Sequence, residues 1–413
     1  MIRRLEKHKI ESFLYLKEVI VIIGARQVGK TTVMYQVMDE LVKIGERVLF
    51  MNLDIEEDTQ YFASQQVLLD RIRLEFGNNK GFVFIDEIQQ KEDVGRFLKG
   101  IYDMNLPYKF VVSGSGSLEL KEHIAEALTG RKQTVEMYPV TFSEFIDFKS
   151  DYKYSDRLEQ FCNIQGTKLQ QYLDEYLRFG GYPKLVMAES EQRKSEVMNE
   201  IYTSYITRDI AYLLGVREPD KFTKLIQLLA VQAGGLINYS TLACEVGVSV
   251  DTIKRYLWYA EKTFVVDVVK PYFTNLKKEL IKSPTVYFND LGMCHFGRRR
   301  FGQANNAHDG FIFQNFVYLL LRNKFHSPTT PIHYWRTKDK AEVDFIVNEK
   351  GSMVPVEVKF SNLKRGAVSR SYRSFLTAYK PMYGYVINLS LDDIIIVGET
   401  EVRFIPYWKL MFL

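Results

Sequence analysis

Eight residues near the start of the chain have the spacing of a phosphate-binding loop. The segment Gly24-Ala25-Arg26-Gln27-Val28-Gly29-Lys30-Thr31 fits the pattern GxxxxGK[ST] and is followed by Thr32. Glycines permit backbone angles and a close approach to a ligand that side chains would obstruct. In such a loop the backbone amides and the following helix N-terminus face phosphate. The pattern predicts ATP bound along residues 24–32, with Lys30 on the β- and γ-phosphates and the Thr31 hydroxyl on Mg²⁺.

Acidic residues follow a second apolar segment, which is where the partner of such a loop is expected. The run Phe82-Val83-Phe84-Ile85 leads directly into Asp86 and Glu87. An aspartate at the tip of a neighbouring strand can hold magnesium through water, and a glutamate beside it can polarise the attacking water. An Asp-Glu pair is also common at the solvated start of a helix. The apolar strand before this pair favours the catalytic interpretation, with Asp86 in metal binding and Glu87 in catalysis.

Two further features would complete a hydrolytic site. Ser113 and Ser115 follow a strand that ends near Val112, where a hydroxyl group can sense the γ-phosphate or orient water. The composition of Ser113-Gly114-Ser115-Gly116-Ser117 fits a flexible loop as well, and it does not distinguish Ser113 from Ser115. Arg131 is a candidate arginine finger, acting within the chain or across an interface. The alternative for Arg131 is an ordinary surface arginine.

A second group of chemically capable residues lies near the other end of the chain. Asp344 precedes a turn at Lys350-Gly351, and Glu357 and Lys359 follow it. A hairpin folded about that turn places Asp344 opposite Glu357, with Lys359 and the further candidate ligand Glu342 on the same face. Two adjacent carboxylates repel unless a cation such as Mg²⁺ joins them. This D…ExK arrangement predicts metal binding by Asp344 and Glu357 and nuclease catalysis with Lys359; the alternative is an exposed polar sheet face.

The first 150 residues carry the elements that must position the phosphate loop. Short apolar runs alternate there with helical patterns, which indicates a parallel sheet covered by helices on both faces. Five runs are predicted as strands: Val19–Ile23, Arg47–Leu53, Gly81–Ile85, Tyr108–Val112 and Thr134–Met137. The sequence therefore predicts an α/β fold of the P-loop NTPase type in this part of the chain.

The middle of the chain is predicted to be helical. Residues 151–209 lack strand patterns and are interrupted at Gly180-Gly181-Tyr182-Pro183. Further on, an apolar helix from Thr223 to Val231 precedes a short helix capped by Ser240. After a turn at Gly247, a second helix begins behind the cap Ser249. Two short helices joined in this way are typical of a helix-turn-helix.

The second of these helices carries Thr252, Lys254 and Arg255 on its polar side. Two strand-like pieces follow, Phe264–Val266 and Val268–Lys270, which suggest a winged form. One interpretation assigns the three polar residues to groove or phosphate contacts with DNA. The other treats them as the solvated face of a winged helix used for packing or for contact with a protein.

Composition sets broad limits. The chain has 413 residues, 46% hydrophobic and 26% charged, with a net charge of +4. This length exceeds one ordinary core, and the small net charge does not by itself argue for nucleic acid. There is no apolar run of about 18 residues and no leader pattern, so we expect no membrane contact and no secretion. The scattered Cys162, Cys244 and Cys294 form neither a metal pattern nor a disulfide framework, which fits the cytoplasm.

Taken together, these residues resemble a widespread prokaryotic AAA-type ATPase family. Its members join an N-terminal P-loop domain to a C-terminal domain of unknown function with a winged helix and a PD-(D/E)xK nuclease-like end. The resemblance covers nearly the whole chain and also includes Gly130-Arg131, Tyr138-Pro139 and Phe179-Gly180-Gly181-Tyr182-Pro183. It implies four parts: a P-loop ATPase domain at 1–150, a helical lid at 151–209, a winged helix-turn-helix at 210–296 and a restriction-endonuclease-like α/β domain at 297–413.

One residue departs from the family pattern. The helix before the hairpin in such proteins often carries a glutamate where Gln314 stands. Glutamine can orient a water molecule or weakly bind a cation, but it supplies no negative charge. Two functions follow as hypotheses. The first is an ATPase that uses ATP and Mg²⁺, binds DNA and cuts it, as a homo-oligomer if Arg131 acts across an interface. The second is a nucleotide-dependent switch that binds a partner protein and has a degenerate nuclease-like end.

Overall fold

The computed structural model describes residues 1–115, 127–210, 218–272, 283–303, 310–325 and 330–413, with only the backbone described for Ser115 and residues 207–210. The chain divides into two compact units. Unit 1 comprises Met1–Val140, Arg208–Arg217 and Lys262–Val265, and unit 2 comprises Thr141–Thr207, Glu218–Glu261 and Val266–Leu413. Among the described residues, no helix combines the length and the apolar character needed to cross a membrane.

Unit 1 is built on a five-stranded parallel sheet. Its strands are β1 Val19–Gly24, β2 Val48–Asn52, β3 Gly81–Asp86, β4 Tyr108–Ser115 and β5 Lys132–Met137. Their order is β2-β3-β4-β1-β5, and every neighbouring pair is parallel. β1 and β3 are buried along their whole length, which explains their continuous apolar composition. The predicted α/β fold with a parallel sheet is confirmed, and β4 lies between the strand that leads into the phosphate loop and the strand that ends at Asp86.

One helix precedes β1, and others lie between the strands. They span Leu5–Phe13, Lys30–Lys43, Glu56–Thr59, Gln65–Phe76 and Val94–Asp103. The helix Lys30–Lys43 buries Val33, Val37 and Leu41 at helical spacing, so one face of it packs inward. Ser64 caps the helix Gln65–Phe76 by accepting a hydrogen bond from the Val67 amide.

Unit 2 contains a mixed eight-stranded sheet. Its strands are β6 Val266–Pro271, β7 Thr285–Phe288, β8 His333–Arg336, β9 Glu342–Glu349, β10 Ser352–Val358, β11 Tyr383–Asn388, β12 Asp393–Val397 and β13 Thr400–Pro406. Their order is β12-β13-β11-β10-β9-β8-β6-β7. The pairs β6–β8, β10–β11 and β11–β13 are parallel, and the other neighbours are antiparallel.

The helices of unit 2 cluster before the sheet in sequence and between its strands. They span Phe142–Lys149, Leu158–Ile164, Gly166–Phe179, Pro183–Met187, Glu191–Tyr202, Pro219–Val231, Tyr239–Val246, Val250–Lys262, Leu291–Gly297, Gly310–Phe325 and Arg370–Tyr379. The helix Val250–Lys262 ends in unit 1, since Lys262 belongs to that unit. The helix Gly310–Phe325 is buried around most of its circumference, in agreement with its apolar composition.

The sheet of unit 2 corrects the prediction of a separate wing. The two strand-like pieces predicted at 264–266 and 268–270 are replaced by the single strand β6, which pairs with β7 and β8. Asp267, which looked like a break between two strands, instead accepts hydrogen bonds from Tyr318 at 2.9 Å and Arg322 at 3.3 Å. β6 and β7 therefore belong to the same sheet as Asp344. The predicted boundaries at 150 and 296 fall inside unit 2, and the one at 209 falls inside Arg208–Arg217, which belongs to unit 1. The division into four parts stays a prediction.

The predicted break at Gly180-Gly181 packs against the start of the helix Leu291–Gly297. Asp290 accepts hydrogen bonds from the amide of Met293 at 2.8 Å and from that of Gly181 at 2.7 Å. A Cβ atom on Gly180 would lie 2.5 Å from both carboxylate oxygens, so only glycine fits. Burial raises the pKa of Asp290 to about 6, although the backbone hydrogen bonds oppose this shift.

Replacing Asp290 by asparagine should lower the free energy of unfolding by about 1–3 kcal/mol, because one oxygen acceptor is lost inside the fold. The raised pKa means that the folded chain holds this proton more tightly than the unfolded chain. The favourable contribution is therefore complete below about pH 4 and is lost as the pH rises through about 6. In urea titrations, the difference between wild type and Asp290→Asn should shrink from pH 4 to pH 7.

The exposed Asp156 provides a control, since Asp156→Asn should change the free energy of unfolding by less than about 0.5 kcal/mol at either pH. A difference between wild type and Asp290→Asn that stays constant from pH 4 to pH 7 would contradict the assigned titration.

Candidate functional site

The phosphate-loop pattern connects β1 directly to the helix Lys30–Lys43. Gly29 precedes this helix with a φ of 96°, and Gln27 also has a positive φ of 61°. Gly24 ends β1 at a point where a Cβ atom would lie 2.2 Å from the carbonyl oxygen of Met137. The two glycines therefore meet different needs, namely close strand packing at Gly24 and a left-handed backbone at Gly29. Between the two glycines, Ala25 and Val28 are buried and Arg26 is exposed. After Lys30, Thr31 and Thr32 are half-buried.

Lys30 is buried inside the loop. Its Nζ atom donates hydrogen bonds to the carbonyl oxygens of Gly24 at 3.2 Å and Ala25 at 2.9 Å. Burial lowers the pKa of Lys30 to about 8, an effect that the nearby carboxylates of Glu87 and Asp86 partly offset. A buried ammonium group gains more from an anionic partner than from neutral carbonyls. The loop therefore fits a phosphate group.

A buried carboxylate lies beside the loop. Asp86 is only 1% exposed, and its Oδ2 atom accepts a hydrogen bond from the Thr31 hydroxyl at 2.6 Å. Its Oδ1 atom accepts hydrogen bonds from the Ser113 hydroxyl and from the Glu87 amide. The strand ends of β3 and β4 thus meet the start of the helix Lys30–Lys43. The hydroxyl and carboxylate oxygens that meet there are the ligand types that Mg²⁺ prefers. The side chain of Ser115 lies outside the described residues.

Glu87 follows β3 in an unusual backbone conformation. Its φ is 53°, which is uncommon for a residue other than glycine and is often found at functional sites. Its side chain is half-buried and accepts a hydrogen bond from the amide group of Gln89. Gln89 belongs to the segment 84–89 that carries the family resemblance, but the sequence alone assigned it no role.

Arg131 directly precedes β5, the edge strand that lies beside β1. The pairing of β1 with β5 places Val19 beside Lys132 and Gly24 beside Met137, so Arg131 is near the start of β1. The length of β1 separates Arg131 from the phosphate loop by about 17 Å. Its Nε atom donates to Asp103 at 3.1 Å. This position favours action across an interface over action within the chain, and the role of Arg131 as an arginine finger stays a prediction.

The predicted C-terminal hairpin is confirmed. β9 and β10 pair in antiparallel fashion from Phe345 with Val356 to Glu349 with Ser352. The turn between them has a positive φ at Lys350 and at Gly351. In this register Asp344 and Glu357 form the next pair after Phe345 and Val356. The hairpin therefore brings these two carboxylates together, as predicted.

Protein donors already occupy the oxygens of these two carboxylates. Asp344 accepts hydrogen bonds from the Gln314 side chain at 2.9 Å and from the Val358 amide at 2.7 Å. Glu357 forms an ion pair with Lys359 at 2.6 Å and accepts a hydrogen bond from Ser369 at 3.0 Å. Burial, with a contribution from the charge of Glu357, raises the pKa of Asp344 to about 7.

The third candidate ligand points to a different partner. Glu342 is exposed and forms an ion pair with Arg336 at 2.9 Å. In the part of the chain that the structure describes, no group of three or more His, Cys, Asp or Glu side chains is arranged to hold a metal ion. Metal binding at this centre by Asp344 and Glu357 stays a prediction.

A small cavity of about 230 Å³ lies beside Asp344. Its lining includes the turn 234–236, Tyr287, Phe311 and Gln314. A Cβ atom on Gly234 would lie 3.1 Å from the side-chain oxygen of Gln314, so this turn closely covers the centre. This cavity is smaller than ordinary ligand pockets.

Two helices joined by a short turn, Tyr239–Val246 and Val250–Lys262, lie where the helix-turn-helix is predicted, with one correction to the first helix. Its first helix, Tyr239–Val246, is capped by Asn238, which accepts a hydrogen bond from the Thr241 amide at 3.1 Å. The predicted cap Ser240 is a helical residue. Asparagine and serine are both favourable at the cap position of a helix, and the observed hydrogen bond assigns it to Asn238. Gly247 has a φ of 80° and ends this helix, as its position in the turn requires.

The second helix presents two of the three predicted DNA contacts to solvent. Lys254 and Arg255 are exposed, and Lys254 lies 3.8 Å from Asp251. Thr252 is half-buried, and its hydroxyl lies 2.9 Å from that of the capping residue Ser249. Lys254 and Arg255 are therefore available for phosphate contact, whereas Thr252 takes part in the helix cap.

Family models match three successive parts of the chain. A model described as an AAA domain matches residues 16–146, and models described as domains of unknown function match residues 170–302 (DUF8612) and 309–410 (DUF4143). The first match covers β1 to β5, the phosphate loop and Asp86. The sheet of unit 1 and its phosphate loop are therefore similar to an AAA domain, and residues 309–410 are similar to a DUF4143 domain.

Similar curated proteins extend over most of the chain. An uncharacterized protein of Methanocaldococcus jannaschii is 24% identical and covers 97% of this chain and 89% of its own length. Another, of Mycobacterium tuberculosis, is 27% identical and covers 97% of this chain and 81% of its own length. A third, of Haemophilus influenzae, is 28% identical over 82% of each chain.

Solved structures share a more distant likeness. DnaA of Aquifex aeolicus bound to AMPPCP is 14% identical, with a TM-score of 0.29, and the match covers 63% of this chain and 89% of DnaA. Cdc6p of Pyrobaculum aerophilum is 12% identical, with a TM-score of 0.27, and the match covers 76% of this chain and 93% of Cdc6p. At these TM-scores the likeness supports no statement about the function of this chain.

Gly24→Ala should destabilise unit 1 by at least about 1–3 kcal/mol, because the added methyl group would overlap the Met137 carbonyl oxygen. Thermal and urea unfolding, each followed by circular dichroism, would measure the change. Gly166→Ala is the matched control, since nothing lies within 4 Å of a Cβ atom there. Equal stability of the two variants would contradict the close approach of β1 and β5.

Proposed function

We propose that this chain hydrolyses ATP at the phosphate loop of its AAA domain and binds DNA through the helix Val250–Lys262. The observation that carries the ATPase proposal is the contact of Thr31 and Ser113 with the buried carboxylate of Asp86, next to the buried Lys30. The match of an AAA domain to the same residues supports it. Phosphate-binding loops with a neighbouring acidic strand end are the recurring site of phosphoryl transfer.

Each residue of this site has a separate role in the proposal. Backbone amides of residues 24–32 hold the phosphates, and Lys30 leaves its carbonyl partners to contact them. Thr31 and Asp86 would hold Mg²⁺, which supplies positive charge beside the phosphates. Glu87 polarises the attacking water, and Ser113 orients it. Arg131, at the far edge of the sheet, acts on the nucleotide of a second copy of the chain.

The DNA-binding part of the proposal rests on the exposed face of the second helix. Lys254 and Arg255 are exposed on one short helix of a helix-turn-helix. Such a helix can enter the major groove or contact phosphates. Two cations give a small electrostatic footprint, so we expect weak and salt-sensitive binding.

The geometry of the C-terminal centre favours a second candidate function, a nucleotide-dependent switch that binds a partner protein. The specific observation is the hydrogen bond from Gln314 to Asp344, which places an amide where a third carboxylate would complete a metal site. Under this hypothesis the centre stabilises unit 2 and performs no cleavage. Both candidates share nucleotide binding at Lys30 and differ in what unit 2 contacts.

Lys30→Ala should abolish nucleotide binding, whereas Glu87→Gln should keep binding and lower Mg²⁺-dependent ATP turnover by about 100-fold or more. Lys43→Ala, near the end of the same helix, serves as the control because this side chain is exposed. Isothermal titration with AMPPCP and a phosphate-release assay would measure the two effects. Turnover in Glu87→Gln equal to that of wild type would remove Glu87 from the site.

Lys254→Ala and Arg255→Ala should each lower DNA affinity and reduce the slope of log affinity against log salt by about one. Lys224→Ala, on the preceding helix, is the exposed control. Gel shifts or anisotropy at several salt concentrations, with and without AMPPCP, would measure the slopes. Absence of any binding at low salt would favour the protein-binding switch over the DNA-binding hypothesis.

The wild-type chain should leave plasmid DNA uncut in Mg²⁺ or Mn²⁺, because donors from the protein occupy Asp344 and Glu357. Gln314→Glu should bind Mn²⁺ more tightly than wild type, since it adds a third carboxylate. Titration calorimetry and plasmid nicking assays would test both expectations. Cleavage by wild type that disappears in Asp344→Ala and Lys359→Ala would establish a working nuclease instead.

A further inference from the structure

Arg4 is buried in unit 1, with 4% exposure, and contacts two distant parts of the backbone. Its Nη1 atom donates to the carbonyl oxygen of Val28 at 2.7 Å, and its Nη2 atom donates to that of Tyr138, also at 2.7 Å. Nη2 also lies 3.2 Å from the carboxylate of Glu6. Val28 belongs to the phosphate loop, and Tyr138 is the first residue after β5. A single guanidinium therefore connects the phosphate loop to the end of the last strand.

This connection depends on the geometry of arginine. A planar guanidinium carries donors in a fixed fork and can satisfy two separate acceptors at once, which one lysine ammonium does less well. A buried charge is also costly unless its donors are satisfied. The neighbouring Ile2 is 5% exposed, and its carbonyl oxygen accepts a hydrogen bond from Gln36 at 3.0 Å. The segment that carries Arg4 is thus fixed against the helix that starts at Lys30.

Tyr138 continues the connection to a third segment of unit 1. Its ring meets that of Phe264 edge to face, with the ring centroids 5.3 Å apart. Phe264 is 4% exposed and has a φ of 63°, which is unusual for an aromatic residue. Along the chain, Phe264 comes two residues after the end of the helix Val250–Lys262 and two residues before β6.

We propose that Arg4 positions the phosphate loop for nucleotide, and that Arg4, Tyr138 and Phe264 form a relay between nucleotide binding and the helix Val250–Lys262. The relay rests on the nucleotide binding proposed above. A phosphate group that fills the loop fixes the Val28 carbonyl. Because Arg4 must keep both of its acceptors, it then fixes Tyr138, and the Tyr138 ring determines where Phe264 packs. The covalent chain carries the change from Phe264 back to the helix.

Loss of each relay residue should affect nucleotide affinity and the coupling differently. Arg4 contacts the phosphate loop, so its loss should weaken nucleotide binding and also break the coupling. The rings of Tyr138 and Phe264 pack against each other, and the hydrogen bond from Arg4 to Val28 involves neither ring, so their loss should break the coupling and leave nucleotide affinity nearly unchanged. A residue that merely supports the fold would not separate these two readouts.

Trp258 lies on the helix Val250–Lys262 and is 38% exposed, which makes it a natural reporter. The full chain would be labelled with 5-fluorotryptophan, and Trp258→Phe would identify the Trp258 signal in the ¹⁹F NMR spectrum. AMPPCP with Mg²⁺ is the probe ligand, and its affinity is measured separately by calorimetry. In wild type, saturation with AMPPCP should shift the Trp258 signal.

Arg4→Gln should bind AMPPCP about tenfold more weakly, and at saturation its Trp258 signal should stay in place. Tyr138→Ala and Phe264→Leu should bind AMPPCP within about threefold of wild type and also lose the shift. Tyr138→Phe should keep the shift because the ring remains. Arg3→Gln is the control, since Arg3 is an exposed neighbouring arginine, and it should behave as wild type.

The outcomes separate the relay from the function on which it rests. If AMPPCP does not bind to wild type, the proposed ATPase function fails and the relay fails with it. If AMPPCP binds without a shift of Trp258, or the shift persists in Arg4→Gln or in Phe264→Leu, the relay alone is overturned. If Arg4→Gln does not fold, Tyr138→Ala and Phe264→Leu decide the question by themselves.

Discussion

The carboxylate of Asp86 is almost completely buried, and unit 1 accommodates its charge through hydrogen bonds from Thr31, Ser113 and the Glu87 amide. The need to satisfy this buried charge with hydrogen bonds brings three parts of the chain together. β3 must end at Asp86, β4 must place Ser113 next to it, and the helix after the phosphate loop must begin at Lys30. A parallel sheet does this naturally, because the carboxyl ends of its strands meet at one edge.

Unit 2 also contains a carboxylate that accepts hydrogen bonds, that of the half-buried Asp344, but its donors are different. Asp344 accepts hydrogen bonds from the Val358 amide and from the side-chain amide of Gln314. Neither of these two N–H donors can accept a hydrogen bond or bind a cation. The donors of Asp86 include two hydroxyl groups, which can turn a lone pair towards a metal ion instead. The two centres therefore differ in the chemistry of their donors: two of the three donors to Asp86 are hydroxyl groups, whereas both donors to Asp344 are amide groups.

Close backbone approaches limit how both units can change. Gly24 packs against the Met137 carbonyl, and Gly180 packs against Asp290, so neither position accepts a larger residue without rearrangement. Arg4 adds a polar constraint to these steric ones, because its fork is satisfied only while Val28 and Tyr138 keep their spacing. The phosphate loop is therefore coupled to its surroundings through rigid contacts, which is the condition for a small change there to be felt elsewhere.

The sequence by itself determined the features that local patterns encode. The loop 24–31, the five strands of unit 1 and the register of the β9–β10 hairpin follow from glycine spacing, apolar periodicity and a short turn. The tertiary structure alone decided that β6 joins the sheet of Asp344, that Arg131 lies near the start of β1, and that Arg4 reaches Val28. These features depend on pairing between residues far apart in the chain, and short-range patterns carry no information about which distant partner a strand or a buried side chain will meet.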